Sequence, residues 1–149
     1  MAKNAVFDNA LLKILFQATP TITGLLDNTA TSPNTVLWFA LHTADPTVTA
    51  GAGTINTQNA SEIAYTSYAR VSVARTTGGF TVTGGSVSPV AAISFPAGTG
   101  GSGTASFFSV GTASSGASQM MYSGAISPTI VCGSGVTPQL TTGSAITES

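Results

Sequence analysis

Charge is what this sequence has least of. Four Lys plus Arg and five Asp plus Glu make up 6% of 149 residues, against about 25% in an average soluble domain. The basic residues, Lys3, Lys13, Arg70 and Arg75, are scattered and the net charge is −1, so the counterion release on which nucleic-acid binding depends has no source. A single cysteine, Cys132, excludes an intrachain disulfide and any cysteine-rich zinc site. With one histidine and five dispersed acids (Asp8, Asp27, Asp45, Glu62 and Glu148), no pair stands at metal-ligand or glycosidase spacing. Neither metal nor cofactor is expected. No run of about 18 apolar residues is available to span a bilayer, and Asp8 and Lys13 interrupt the N-terminal apolar stretch where a secretory signal needs continuity. The expectation is a protein made in a cytoplasm, with neither nucleic acid nor membrane as partner.

What fills the space left by charge is Gly, Ser and Thr. The exposed face must then be solvated by hydroxyls and backbone, or else be covered by partner molecules. Both alternatives suit a shell or coat component better than a cytosolic enzyme. At 149 residues the chain is long enough to bury a core without covalent staples.

The opening segment, "NAVFDNALLKILFQATP", places Phe7, Leu11, Ile14, Leu15 and Ala18 on one helical face, with Asn4 as N-cap and Pro20 as stop. Leu12 and Phe16 on the other face make this helix too apolar to stand alone, so it should pack on a sheet or on another subunit. From about Thr35 the pattern changes to short β-type runs between glycine-rich breaks: "TVLWFALH", "YARVSVART", "FTVT", "SVSPVAAISFP", "TASFFSVG", "QMMYSGAIS", "TIVC", "VTPQL" and "SAITES". Short strands at this spacing with no helix between them predict an all-β fold, an antiparallel β-sandwich or jelly-roll-like domain with one N-terminal α-helix. The division expected is a helical arm over 1–20 and a single β-domain over 21–149, with a long surface loop at 45–67.

Three motifs invite chemistry. "GTGGSG", Gly98 to Gly103, fits G-x-G-x-x-G, but the segment after it is β-like, so no helix N-terminus is available for a pyrophosphate. It reads as a flexible hairpin loop. "LWFALHTADPT" holds the sole Trp38 and sole His42, followed by Asp45. No G-x-S-x-G elbow accompanies them, and Asp45-Pro46 is a turn signal. The stretch reads as a core strand, with Trp38 and Phe39 as packing and His42 at its rim. No catalytic residue is assigned and no enzymatic activity is expected. "YAR", Tyr68 to Arg70, and Arg75 set planar multidentate donors in a nearly uncharged chain, and interfaces are enriched in Tyr and Arg. Partner contacts are accordingly expected at Phe7, Leu11, Phe16, Tyr68, Arg70 and Arg75.

The order of "LHTADP", "YARV", "SFP" and "QMMYSGAI" after an N-terminal helix resembles a family of small tailed-bacteriophage virion proteins described as tail-fibre-like or as capsid decoration (cement) proteins. The resemblance implies a structural virion role without catalysis, on a jelly-roll-like sandwich that oligomerises on the particle as a dimer or trimer. Because the chain shows no shaft repeats or heptads, the function expected is capsid decoration: binding the major capsid protein at the outer surface of the shell and stabilising it additively. A tail-fibre, collar or baseplate component, or a receptor- or glycan-binding module, is the alternative.

Overall fold

A computed structural model describes residues 5–18, 34–47 and 57–147. The chain divides into two compact units, one of Met1–Val36, Val73–Ala92 and Leu140–Ser149, the other of Leu37–Ser72 and Ile93–Gln139. The boundary expected at residue 20 lies outside the described residues. The fold class is the one the strand pattern predicts: mostly antiparallel β-sheets with a single helix among the described residues, at the N-terminus.

In the first unit, helix α1 (Ala5–Gln17) packs on a three-stranded sheet of order β3-β4-β9, formed by Phe80–Thr83, Ser86–Pro89 and Ile146–Thr147. The buried face of the helix is not the one its apolar spacing predicts. Leu12 and Phe16 are fully buried, whereas Leu11, Ile14 and Leu15 are half-buried and Ala18 is exposed. A helix apolar on both sides leaves the choice of face to the surface that receives it, and here that surface is Phe80, whose ring meets Phe16 edge-on at 5.0 Å and 74°. The sheet side of the contact follows from alternation: Phe80 and Val87 are buried while Thr81 and Thr83 are exposed.

The β3–β4 hairpin turns through Gly84 (φ 61°) and Gly85 (φ 74°). Positive φ at both central positions is the type I′ turn that matches strand twist and favours glycine. The N–H of Gly85 donates to Asn9 Oδ1 on the helix, 2.6 Å. At the other end of α1, the Nε and Nη2 of Arg75 donate to the carbonyls of Leu15 and Ile14. Both carbonyls belong to the last turn of the helix, where a cation opposes the negative end of the helix dipole. Ala18, at φ 52°, closes the helix in the left-handed conformation.

The four-stranded sheet, of order β2-β1-β6-β7, comprises Val71–Ala74, Val36–His42, Ser102–Gly111 and Met120–Gly133; most of its residues belong to the second unit. β1 runs antiparallel to β6, from Trp38 opposite Gly111 to His42 opposite Phe107. From Phe39 to His42 every side chain of β1 is buried, as a continuous apolar run requires. β7 is one strand where the sequence suggests two, "QMMYSGAIS" and "TIVC". The pairing jumps from Phe107↔Ala125 to Ala105↔Ile130, so Ser106 stands opposite residues 126–129 in a wide bulge. A two-stranded sheet joins β5 (Ile93–Ser94) to β8 (Gln139–Leu140). Leu37, Phe39, Leu41, Ile63, Phe95, Phe108 and Val110 form the core of this unit.

Part of the 45–67 loop lies outside the described residues; in the rest, Thr57 bridges Gln119, Glu62 bridges His42, and Thr66 bridges Gly100. The glycine-rich "GTGGSG" is likewise pinned, with Thr99 N–H on the Thr66 carbonyl (3.1 Å) and Gly135 N–H on the Gly98 carbonyl (2.8 Å).

Candidate functional site

A buried polar cluster organises the second unit, and Arg70 is at its centre. The residue is 6% exposed. Its Nε and Nη2 form a fork onto Glu62 Oε1 and Oε2, both at 2.8 Å, the bidentate geometry that favours Arg over Lys. Nη2 also donates to the Gly116 carbonyl (2.8 Å), and Nη1 donates to Ala113 O (3.0 Å), Ser118 Oγ (2.8 Å) and Gln58 Oε1 (3.2 Å). A guanidinium so placed ties the 58–70 segment to the 113–118 connection between β6 and β7. Every donor is used, as burial of a charge demands.

The cluster extends inward through Gln58 and outward through Tyr68. Gln58 Nε2 donates to the Trp38 carbonyl (2.9 Å) and to Ser109 Oγ (3.2 Å), and its amide lies against Gly111, where a Cβ would come within 2.2 Å of Gln58 Oε1. Only glycine admits that approach. Tyr68 accepts the Leu41 N–H (3.0 Å) and donates to Glu62 Oε1 (2.9 Å); burial is the main cause that raises its phenol pKa. Its ring stacks on Phe95 at 6.3 Å and meets Tyr65 edge-on at 5.4 Å. Tyr65 in turn donates to the Pro96 carbonyl (2.7 Å), and burial pushes its pKa up to about 12.

His42 is not at the rim of its strand but fully buried. Its Nδ1 lies 2.8 Å from the Ala60 carbonyl and its Nε2 2.7 Å from Ser109 Oγ. A carbonyl accepts only, so Nδ1 carries the proton and Nε2 accepts from the serine hydroxyl. Desolvation by burial lowers the pKa of the imidazole, opposed by the Ala60 bond and by Glu62 and reinforced by Arg70. The Ser109–His42 contact has the geometry of an activated hydroxyl, but both residues have zero exposure and no substrate reaches them. Asp45 takes no part: its Oδ1 accepts the N–H (2.9 Å) and hydroxyl (2.7 Å) of Thr47, the Asx turn expected of Asp-Pro.

The expected contact residues thus fall in different places. Arg70 is occupied by its own chain, and Tyr68 beside it is half-buried. Arg75 caps α1, and Phe16 is a core residue of the first unit. Leu11 is half-buried, and the side chain of Phe7 lies outside the described residues. Gln58, Glu62, Ser109 and Ser118 carry no motif, yet one signal points to Glu62. Between Asp45 and Glu148 it is the sole acid, so a buried Arg70 has no other carboxylate close to it in sequence.

Beside the cluster runs an open groove of about 550 Å³, lined by Glu62, Tyr68, Ala64, Ala69 and the 114–116 turn. Among the described residues no helix is long and apolar enough to cross a membrane, and no three His, Cys, Asp or Glu side chains group as metal ligands.

A family model described as "Podophage GP4 fiber I protein gp80" matches residues 7–147. No curated protein matches the chain.

Proposed function

The chain belongs to the podophage GP4 fiber I protein gp80 family and is a structural protein of a phage virion; from that premise we propose that it is a subunit of a virion fibre, without catalytic activity, rather than a decoration protein of the capsid shell. The observation that carries the reading is the family match, which runs through both units of the chain.

The chemistry of the chain accords with that role. A virion subunit is covered on several sides by neighbours, and a chain with only 6% charged residues can be covered without stripping water from many ions. The Arg70 cluster converts what would be mobile connections into fixed ones, which suits a part that must hold its shape outside the cell. Self-association, as a dimer or trimer, supplies the fibre, with closed symmetry the economical arrangement.

Gold-labelled antibody against this chain, imaged on intact virions, tests the assignment. Label on thin projections supports a fibre subunit. Label spread evenly over the head returns the role to capsid decoration, with the major capsid protein as partner.

A further inference from the structure

We propose that the groove beside the Arg70 cluster is a binding site for a neutral saccharide. Its volume of about 550 Å³ falls within the roughly 300–1,000 Å³ of small-molecule sites, and its lining selects the class of ligand. Glu62 is the charged group that reaches solvent there, with 18% of its side chain exposed against 1% for Arg70. Oε1 already accepts from Tyr68 and from Arg70 Nε, whereas Oε2 accepts from Arg70 Nη2 alone. One lone pair of Oε2 is therefore left for a donor from the groove. The lining also includes Ser114 and Ser115, both exposed, whose hydroxyls have no partner among the described residues. Ala64 and Ala69, also exposed, and the half-buried Tyr68 add apolar surface to the same groove.

Other ligand classes fit less well. An anion would meet the Glu62 carboxylate and find the Arg70 donors consumed. A cation would find one spare lone pair and a guanidinium within 2.8 Å of it. A purely apolar ligand would leave the serine hydroxyls and the carboxylate unpaired. A sugar ring offers what remains: hydroxyls that donate to Oε2 and exchange bonds with two serines, and C–H faces that lie on alanine and tyrosine. The inference goes beyond the fibre reading and does not depend on it.

Titration of the full chain with glucose, galactose, rhamnose, N-acetylglucosamine and maltose, followed by 1H–15N amide shifts, tests the site. The expected result is saturable millimolar binding of at least one sugar, with shifts centred on Ala64, Ala69 and residues 114–116. Ala69→Phe, a substitution at an exposed position that fills the groove, should weaken that binding by about tenfold or more. The double variant Ser114→Ala/Ser115→Ala, which leaves the space intact, should weaken it severalfold. Absence of saturable shifts for all five sugars, shifts scattered away from the groove, equal affinity in both variants, or preferential movement of the same amides by inorganic phosphate would each overturn the proposal.

Discussion

Arg70 and Glu62, eight residues apart, meet through two parallel hydrogen bonds of 2.8 Å, and the same guanidinium reaches the carbonyls of Ala113 and Gly116. The pair therefore joins two connections that share no strand. Because burial makes the cost of a lone partner high, Arg70→Ala should destabilise the protein by about 3–5 kcal/mol. Arg70→Lys keeps the charge but not the fork and should fall between wild type and Arg70→Ala. Denaturant unfolding of the three proteins measures this order; equal stability of Arg70→Ala and wild type would mean that the cluster holds nothing together.

Ser109→Ala removes the hydroxyl that satisfies His42 Nε2 and receives Gln58 Nε2. Two buried polar atoms lose a partner, and each such loss costs about 1–3 kcal/mol. The expected outcome in the same unfolding measurement is a loss well above that of a typical surface substitution. A loss within about 0.5 kcal/mol, the usual range for exposed sites, would contradict the assigned bonding.

His42 links stability to pH. Burial holds its pKa below 6.5, so below pH 6.5 the unfolded chain binds a proton that the folded chain refuses. The contribution of the neutral imidazole is complete above pH 6.5 and is lost as pH falls toward the folded-state pKa, with a slope of at most about 1.4 kcal/mol per pH unit. Stability curves of wild type and His42→Gln, compared between neutral pH and pH 4, isolate this group from the carboxylates. The slope should flatten in the variant; parallel curves would show that His42 titrates alike in both states.

Phe16 and Arg75 anchor α1 by different means. Phe16→Ala empties a fully buried site against Phe80 and should cost about 3–5 kcal/mol. Arg75→Ala frees the Leu15 and Ile14 carbonyls and should cost about 1 kcal/mol, the scale of a charge at a helix end. The helical circular-dichroism signal should fall with Phe16→Ala at temperatures where the wild type keeps it. An unchanged signal and midpoint in both variants would detach the helix from the sheet.

The strand pattern was legible because alternation and turn residues are local. "FTVT", the double glycine and "SVSP" specify a hairpin by themselves. The face of α1 was not legible, since Leu11, Leu12, Leu15 and Phe16 are all apolar and the receiving surface, Phe80, lies far along the chain. The Arg70 cluster was legible only as an oddity of composition: the arginine stood out, but Gln58, Ser109 and Ser118 are unremarkable residues brought together by the β1–β6–β7 pairing. His42 illustrates the same limit. Its place at the end of an apolar strand reads as the rim, whereas the 60–62 segment and Ser109 bury it, and nothing near it in sequence names Ser109 as its partner.

Copy number separates a fibre from a shell coat most directly. Quantitative mass spectrometry of purified virions, with the major capsid protein as internal standard, gives the stoichiometry of this chain. A fibre subunit should be present in no more than a few tens of copies per particle, as multiples of a closed oligomer. Several hundred copies, in constant proportion to the major capsid protein, would contradict the account.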